Sequence, residues 1–306
     1  VNVDGSTTTQ TVNQGVTPTA PAPINTGTRT FTAWSPSLVA ATADATYTAQ
    51  YSEIVDLFIA TGQSNAAWPW DSINQVGTFQ FGEGVQSALT ASGRFSNPTV
   101  VSQGEPGMPI DQWWQNGAPQ WAYQKNFFGT YQSQTAALEA KIAEIEAAGD
   151  TPVFRGVFWF QGEADGQNGT SEADYTERWD SILGQLTSDV GTGDYYFVMN
   201  TVGNSGNLIN TILTNITNAN PRGALFNTQV APYRTNFADI HGYDHFAVGE
   251  ANVQLYIDTF VDGTPAPSYT ITFVNVDDSV TTQTMFEGEV AIPPAGVDTA
   301  DRTFTS

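Results

Sequence analysis

Three stretches of the chain hold residue types that can do acyl chemistry. The tetrad Gly62-Gln63-Ser64-Asn65 places a serine directly after the apolar run Ile54 to Thr61. The two histidines of the chain, His241 and His245, share one short segment, with Asp239 two residues before the first and Asp244 next to the second. The third stretch, Gln161-Gly162-Glu163-Ala164-Asp165, sets an amide and two carboxylates after another apolar run. A serine hydroxyl is almost fully protonated at neutral pH. It attacks an ester only with a base, an orienting carboxylate and donors for the developing oxyanion around it. Each stretch also has a plainer reading. Ser64 and Asn65 could cap a following helix, and Glu163 and Asp165 could be solvated loop carboxylates or could orient neighbours through hydrogen bonds. Cysteine is absent, which excludes thiol nucleophiles, disulfides and thiolate metal sites. Phosphate-cradling glycine motifs and metal-binding histidine clusters are also missing, so neither cofactor nor metal is expected.

Elements that could position these residues follow from the apolar pattern. Ile54–Thr61, Thr99–Ser102, Val153–Phe160, Tyr195–Asn200 and, more weakly, Ala224–Asn227 read as strands. Tyr131–Ala148, Ser171–Leu186 and Phe246–Phe260 read as helices. The clearest spans Ala137 to Glu146, where apolar residues recur at three and four before Gly149 ends the pattern. Strands separated by helices argue a mostly parallel sheet covered on both faces. The polar stretches follow strands, so they gather at one edge of it. Trp159 and Phe160 read as core. Trp68, Trp70, Trp113 and Trp114 flank the proposed site on loops, where a ring can either stack on a sugar face or be buried.

Charge narrows the partners. Thirty-one acidic against nine basic residues give a net charge of −22, which repels nucleic acid and anionic membranes. The plain consequence of such a surface is solubility. It also favours a neutral glycan over an anionic one as substrate. No apolar run is long enough to span a membrane, so insertion is not expected.

The two ends repeat each other. Residues 1–33 and 274–306 align without a gap at an offset of 273 (274 − 1), about half of the positions being identical. Val1-Asn2-Val3-Asp4 matches Val274-Asn275-Val276-Asp277, and Arg29-Thr30-Phe31-Thr32 matches Arg302-Thr303-Phe304-Thr305. Both copies are rich in Thr and Val and read as short strands. Their truncations are complementary. The second copy begins with an extra strand, Ser268–Phe273, and the first continues through Trp34 and on to Tyr51. The composite unit resembles the Listeria–Bacteroides repeat, a small β-rich module. Three segments follow: a β-rich module at 1–52 lacking its first strand, a central domain at 53–265, and a second, incomplete module at 266–306.

Taken together, Gly62-Gln63-Ser64-Asn65, Trp159 to Asp165, and Asp239-Ile240-His241 with Gly249 eight residues on resemble the serine, oxyanion and histidine blocks of the SGNH-type carbohydrate esterases. The similarity is to the sialate O-acetylesterase and acetyl-xylan esterase group. It implies a flavodoxin-like three-layer αβα hydrolase domain, here with small β-rich modules at both ends. It further implies a serine esterase that removes O-acetyl groups from a glycan. Ser64 would be the nucleophile, His241 the base and Asp239 the acid that orients it. The Ser64 and Gly107 N–H groups and the Gln161 amide would bind the oxyanion, with Asn65 and Glu163 supporting them. Trp68, Trp70 and Trp113 would contact substrate. His245 with Asp244 is the competing base, and the spacing to Gly249 favours His241. A different class is also open: the hydrolase fold as a structural or adhesive glycan-binding module. The terminal modules are expected to serve attachment or self-assembly, and the setting to be extracellular, on a cell surface or on a virus particle.

Overall fold

A computed structural model describes residues 2, 5–71, 76–77, 79–110, 114–115, 118–119, 123–125, 131–191, 193–203, 207–263, 268–274 and 280–286. Its centre is β2 (Thr48–Gly62), whose buried half, Val55 to Gly62, is apolar at nearly every position. Such a run suits a strand covered on both faces. β2 pairs with β3 (Thr99–Ser102) on one side and with β4 (Thr151–Phe160) on the other, all parallel. β5 (Tyr196–Asn200) and β6 (Gly223–Phe226) extend the sheet beyond β4, again parallel. The spatial order is therefore β3-β2-β4-β5-β6. This is the flavodoxin-like order, in which the chain reverses its direction of growth between β2 and β4 and leaves a crevice at their carboxyl ends.

The short helix α1 (Ser64–Ala67) follows β2. On one face of the sheet α2 (Gln80–Ser92) packs against α7 (His245–Tyr256). On the other lie α3 (Gln134–Ala147), α5 (Glu172–Val190) and α6 (Asn207–Ala219), with α4 (Glu163–Asn168) following β4. Successive side chains of β4 point to opposite faces. Phe158 meets Tyr256 of α7, and Phe160 meets Phe81 of α2. Trp159, 1% exposed, packs on Trp179 of α5. Trp159 and Phe160 are thus core. α2 and α7 approach closely because Gly249 has no side chain: a Cβ there would lie 2.2 Å from the Phe81 carbonyl oxygen.

The sequence spacing missed α2 and α6 and placed a helix from Tyr131, where a short strand precedes α3. The expected boundary near residue 52 falls inside β2. Its first residues pair antiparallel with β1 (Arg29–Ser35), and its remainder enters the parallel sheet. Most of the strand content expected in the first module is absent among the described residues, where 5–28 form turns, bends and stretches in no helix or strand. In the second module, β7 (Ser268–Val274) pairs antiparallel with β8 (Val280–Phe286); residues 287–306 lie outside the described part. No described helix is long and apolar enough to cross a membrane.

Candidate active site

Ser64 sits where β2 ends, at the first turn of α1, and is 7% exposed. Gly62 makes the turn possible. Its φ is +144°, and a Cβ would lie 2.1 Å from the Phe160 carbonyl oxygen of the neighbouring strand. Neither Ser64 nor Asn65 caps α1: the N-cap is Gln63, and no side chain caps that end. Gln63 instead reaches across the β2–β4 crevice. Its Oε1 accepts from the backbone N–H groups of Gly162 (3.3 Å) and Ala164 (3.2 Å) at the start of α4. The serine and oxyanion stretches are thereby joined.

Asn65, fully buried, ties three elements together. Its Nδ2 donates to Glu163 Oε1 on α4 and, at 3.3 Å, to the Ile240 carbonyl. Its Oδ1 lies 2.9 Å from His245 Nε2 at the start of α7. With the amide so oriented, His245 donates and is the neutral Nε2–H tautomer. Burial, with His241 nearby, pulls the His245 pKa down to about 4. His245 is therefore engaged in holding Asn65.

His241 is placed differently. Its ring stacks flat on Trp68, with centroids 4.0 Å apart and planes at 5°. Nδ1 faces Asp239 Oδ1 at 4.0 Å, and Nε2 is buried with no partner among the described residues. Burial lowers its pKa below the usual 6.5, Asp239 opposing and Arg234 adding to the effect. Asp239 also accepts the His241 backbone N–H at 2.9 Å. Arg234, buried against the Tyr243 ring, donates to the Asp239 carbonyl at 2.8 Å and so closes the loop that carries the histidine.

Glu163 is 1% exposed, and its Oε2 has no partner among the described residues. Desolvation pushes its pKa up to about 7, against its own backbone hydrogen bond, Asn65 and Arg234. Asp165 orients its neighbours through hydrogen bonds and anchors the loop that carries Gly107. It accepts the Ile110 N–H at 2.9 Å, the Thr170 hydroxyl at 2.9 Å and the Gln161 amide. Gly107 lies on an exposed turn at φ +73°. Gln161 departs from its expected role as a free oxyanion donor. It is fully buried, its Nε2 is directed to Asp165 and to the Met108 carbonyl (3.2 Å), and its Oε1 accepts from the Tyr175 hydroxyl at 2.7 Å. Both amide protons are already committed, so Gln161 acts as a strut beneath the Gly107 turn. Trp68 meets His241 rather than open solvent on one ring face. Trp113 and the side chain of Trp70 lie outside the described residues. No cluster of metal-binding side chains occurs among the described residues.

Serine, oxyanion and histidine stretches joined at the switch point of a flavodoxin-like sheet define the class of SGNH-type esterases. The sequence model of the carbohydrate esterase, sialic acid-specific acetylesterase family matches residues 68–235, more than half of the chain. The chain belongs to that family and is a carbohydrate O-acetylesterase. The match contains Gln161, Glu163 and Gly107; Ser64 lies just before it, Asp239 and His241 just after. Among solved structures, a carbohydrate acetylesterase from Xanthomonas citri is 15% identical over 78% of this chain and 68% of its own, with a TM-score of 0.48. A carbohydrate acetylesterase from Sinorhizobium meliloti is 10% identical over 67% and 100%, with a TM-score of 0.42. An Arabidopsis thaliana protein is 13% identical over 67% and 98%, with a TM-score of 0.47. No curated protein matches the chain in sequence.

Proposed function

We propose that the chain deacetylates a glycan by double displacement on Ser64, with His241 as base and Asp239 as its orienting acid. The observation that carries this reading is the unequal use of the two histidines. His245 Nε2 is taken up by Asn65, whereas His241 presents a buried Nε2 with no partner among the described residues, and Asp239 lies on the far side of its ring. In the first half-reaction His241 takes the Ser64 proton as the hydroxyl attacks the acetyl carbonyl. The tetrahedral intermediate collapses, His241 returns that proton to the departing sugar hydroxyl, and acetyl-Ser64 remains. In the second half His241 deprotonates water, which releases acetate and restores the serine.

The oxyanion is met by the Ser64 and Gly107 N–H groups, neither of which donates to a backbone carbonyl among the described residues. Each such donor contributes roughly a hundredfold or more in rate. Gln161, Asp165 and Gln63 act one step back, by fixing the turn and the helix start that carry those donors. Trp68 holds the His241 ring by stacking. Family membership weighs against the adhesive reading. An acetylated chromogenic ester tests the proposal on the purified chain: wild type hydrolyses it and Ser64→Ala does not. Undiminished hydrolysis by Ser64→Ala would refute it.

A further inference from the structure

The loop that carries the proposed base also carries an aromatic ring that the core leaves uncovered. Residues 235–242 close on themselves: the N–H groups of Thr235 and Asn236 both donate to the Gly242 carbonyl, at 2.8 and 3.0 Å. Within the loop, the Gly242 N–H donates to the Asp239 carbonyl at 3.1 Å and the Ala238 N–H to Asn236 Oδ1 at 3.0 Å. Arg234 ties the same Asp239 carbonyl from below. A short loop bonded at this many points holds its residues in fixed positions. Three of them are Phe237, Asp239 and His241, each two residues from the next.

Asp239 and His241 serve the proton transfer; Phe237 has no part in it. Its side chain is 62% exposed, more than any other aromatic among the described residues. The buried Arg234 guanidinium lies 5.9 Å from the Phe237 ring centroid and 4.1 Å from that of Tyr243. One side of Phe237 therefore rests towards a fixed cation, and the rest of the ring faces solvent. Left open, it forfeits the gain that the same side chain would have in the core. Single exposed apolar residues occur on any surface, but this one shares a closed loop with the base and its orienting acid. Trp68, expected to contact substrate, has one ring face covered by His241.

We propose that Phe237 is a sugar-stacking residue: its open face receives the pyranose ring that bears the acetyl ester, and that sugar is uncharged. A pyranose with equatorial substituents presents axial C–H groups on each face. This apolar surface matches a phenyl ring and leaves the hydroxyls at the rim in water. Stacking there holds the sugar beside His241, which must return a proton to the departing sugar oxygen. Charge selects against an acidic sugar. The Asp239 side chain, two residues from the ring, is 51% exposed. Residues 235–242 contain no lysine or arginine, and the whole chain carries −22. Arg234 is buried beneath the loop, its Nη2 committed to the Asp239 carbonyl. The inference rests on the esterase reading and adds to it the residue that selects the sugar.

Acetate release from three esters tests it. One is a mono-O-acetyl methyl β-glucopyranoside, assayed as each positional isomer. The second is the corresponding β-glucuronide, which adds one carboxylate, and the third is ethyl acetate, which has no ring to stack. In Phe237→Ala, the ratio of kcat/KM for the glucoside to that for ethyl acetate is expected to fall about tenfold, with KM carrying the change. Phe237→Trp, which keeps a ring, is expected to retain the wild-type ratio. Wild type is expected to prefer the glucoside to the glucuronide, and added salt to narrow that gap. An unchanged ratio in Phe237→Ala, or an equal loss on glucoside and ethyl acetate, would overturn the proposal. So would a ratio in Phe237→Trp as low as in Phe237→Ala, a preference for the glucuronide, or no turnover of any glucoside isomer. Hydrolysis that survives Ser64→Ala would be a different failure, overturning the esterase reading and the stacking proposal with it.

Discussion

Glu163→Gln gives the most informative perturbation of the buried network, because its effect must change with pH. The Glu163 carboxyl is almost wholly buried, and desolvation raises its pKa from 4.5 to about 7. A carboxyl with a raised folded-state pKa favours folding while protonated. That contribution is complete below about pH 4.5 and is lost as pH rises through about 7. At about 1.36 kcal/mol per pH unit, ionisation removes about 3 kcal/mol from the wild type by pH 8. The amide that replaces the carboxyl in Glu163→Gln never ionises. Its oxygen can still accept from Asn65, and its NH₂ group adds a constant cost of about 1–2 kcal/mol where Oε2 has no partner among the described residues. The wild type should therefore lose ground to Glu163→Gln between about pH 5 and 7, the difference levelling off towards pH 8. The change in Tm difference is expected to be about 6 °C, at roughly 2 °C per kcal/mol for a chain of this size. Glu105, also pushed up to about 7 by burial, is present in both proteins and cancels. Thermal melts of the two proteins at half-unit steps of pH decide the matter. Parallel Tm curves, or a gap that opens towards acid, would refute the reasoning.

Other outcomes follow from the site geometry. His241→Ala should lower kcat by about a thousandfold or more, whereas His245→Ala should lower Tm and cost kcat only about tenfold; steady-state kinetics with matched melts separate the two. The acid limb of the kcat/KM profile should fall below pH 6.5, because burial makes His241 harder to protonate; a limb above that value contradicts its assignment as base. Asp239→Asn should cost no more than about a hundredfold, well short of the roughly ten-thousandfold loss when a buried, closely bonded triad aspartate is changed. The reason is a 4.0 Å contact to a carboxylate whose side chain is 51% exposed, and kcat for the variant is the readout.

Particular residues show what the sequence could reveal. β2, β3 and β4 were legible because continuous apolar runs ended by polar, glycine-led turns have few other folds available. α2 was not. Gly82 and Gly84 lower its helix propensity, yet Gly84 is needed there, since a Cβ would lie 2.1 Å from the Phe246 carbonyl oxygen. α6 was hidden by β-branched residues, Ile209, Thr211, Ile212, Thr214, Ile216 and Thr217, which read as strand until tertiary packing decides. The serine and histidine stretches could be found from their residue types and order. The role of Gln161 could not, because amide partners such as Tyr175 and Asp165 come from neighbouring turns and helices that no local spacing encodes. The spacing to Gly249 already favoured His241 over His245, but the capture of the His245 ring by Asn65, a contact spanning 180 residues of chain, is encoded in no local spacing.

In the proposed mechanism the Ser64 hydroxyl carries the acetyl group between the two half-reactions. Treating the purified chain with an ester-like phosphonate and mapping the adduct by mass spectrometry tests this most directly. A single adduct on the peptide containing Ser64 is predicted, formed in step with loss of hydrolysis and abolished in His241→Ala. Full inactivation with the label on any other residue, or hydrolysis that persists when Ser64 is fully labelled, would contradict it.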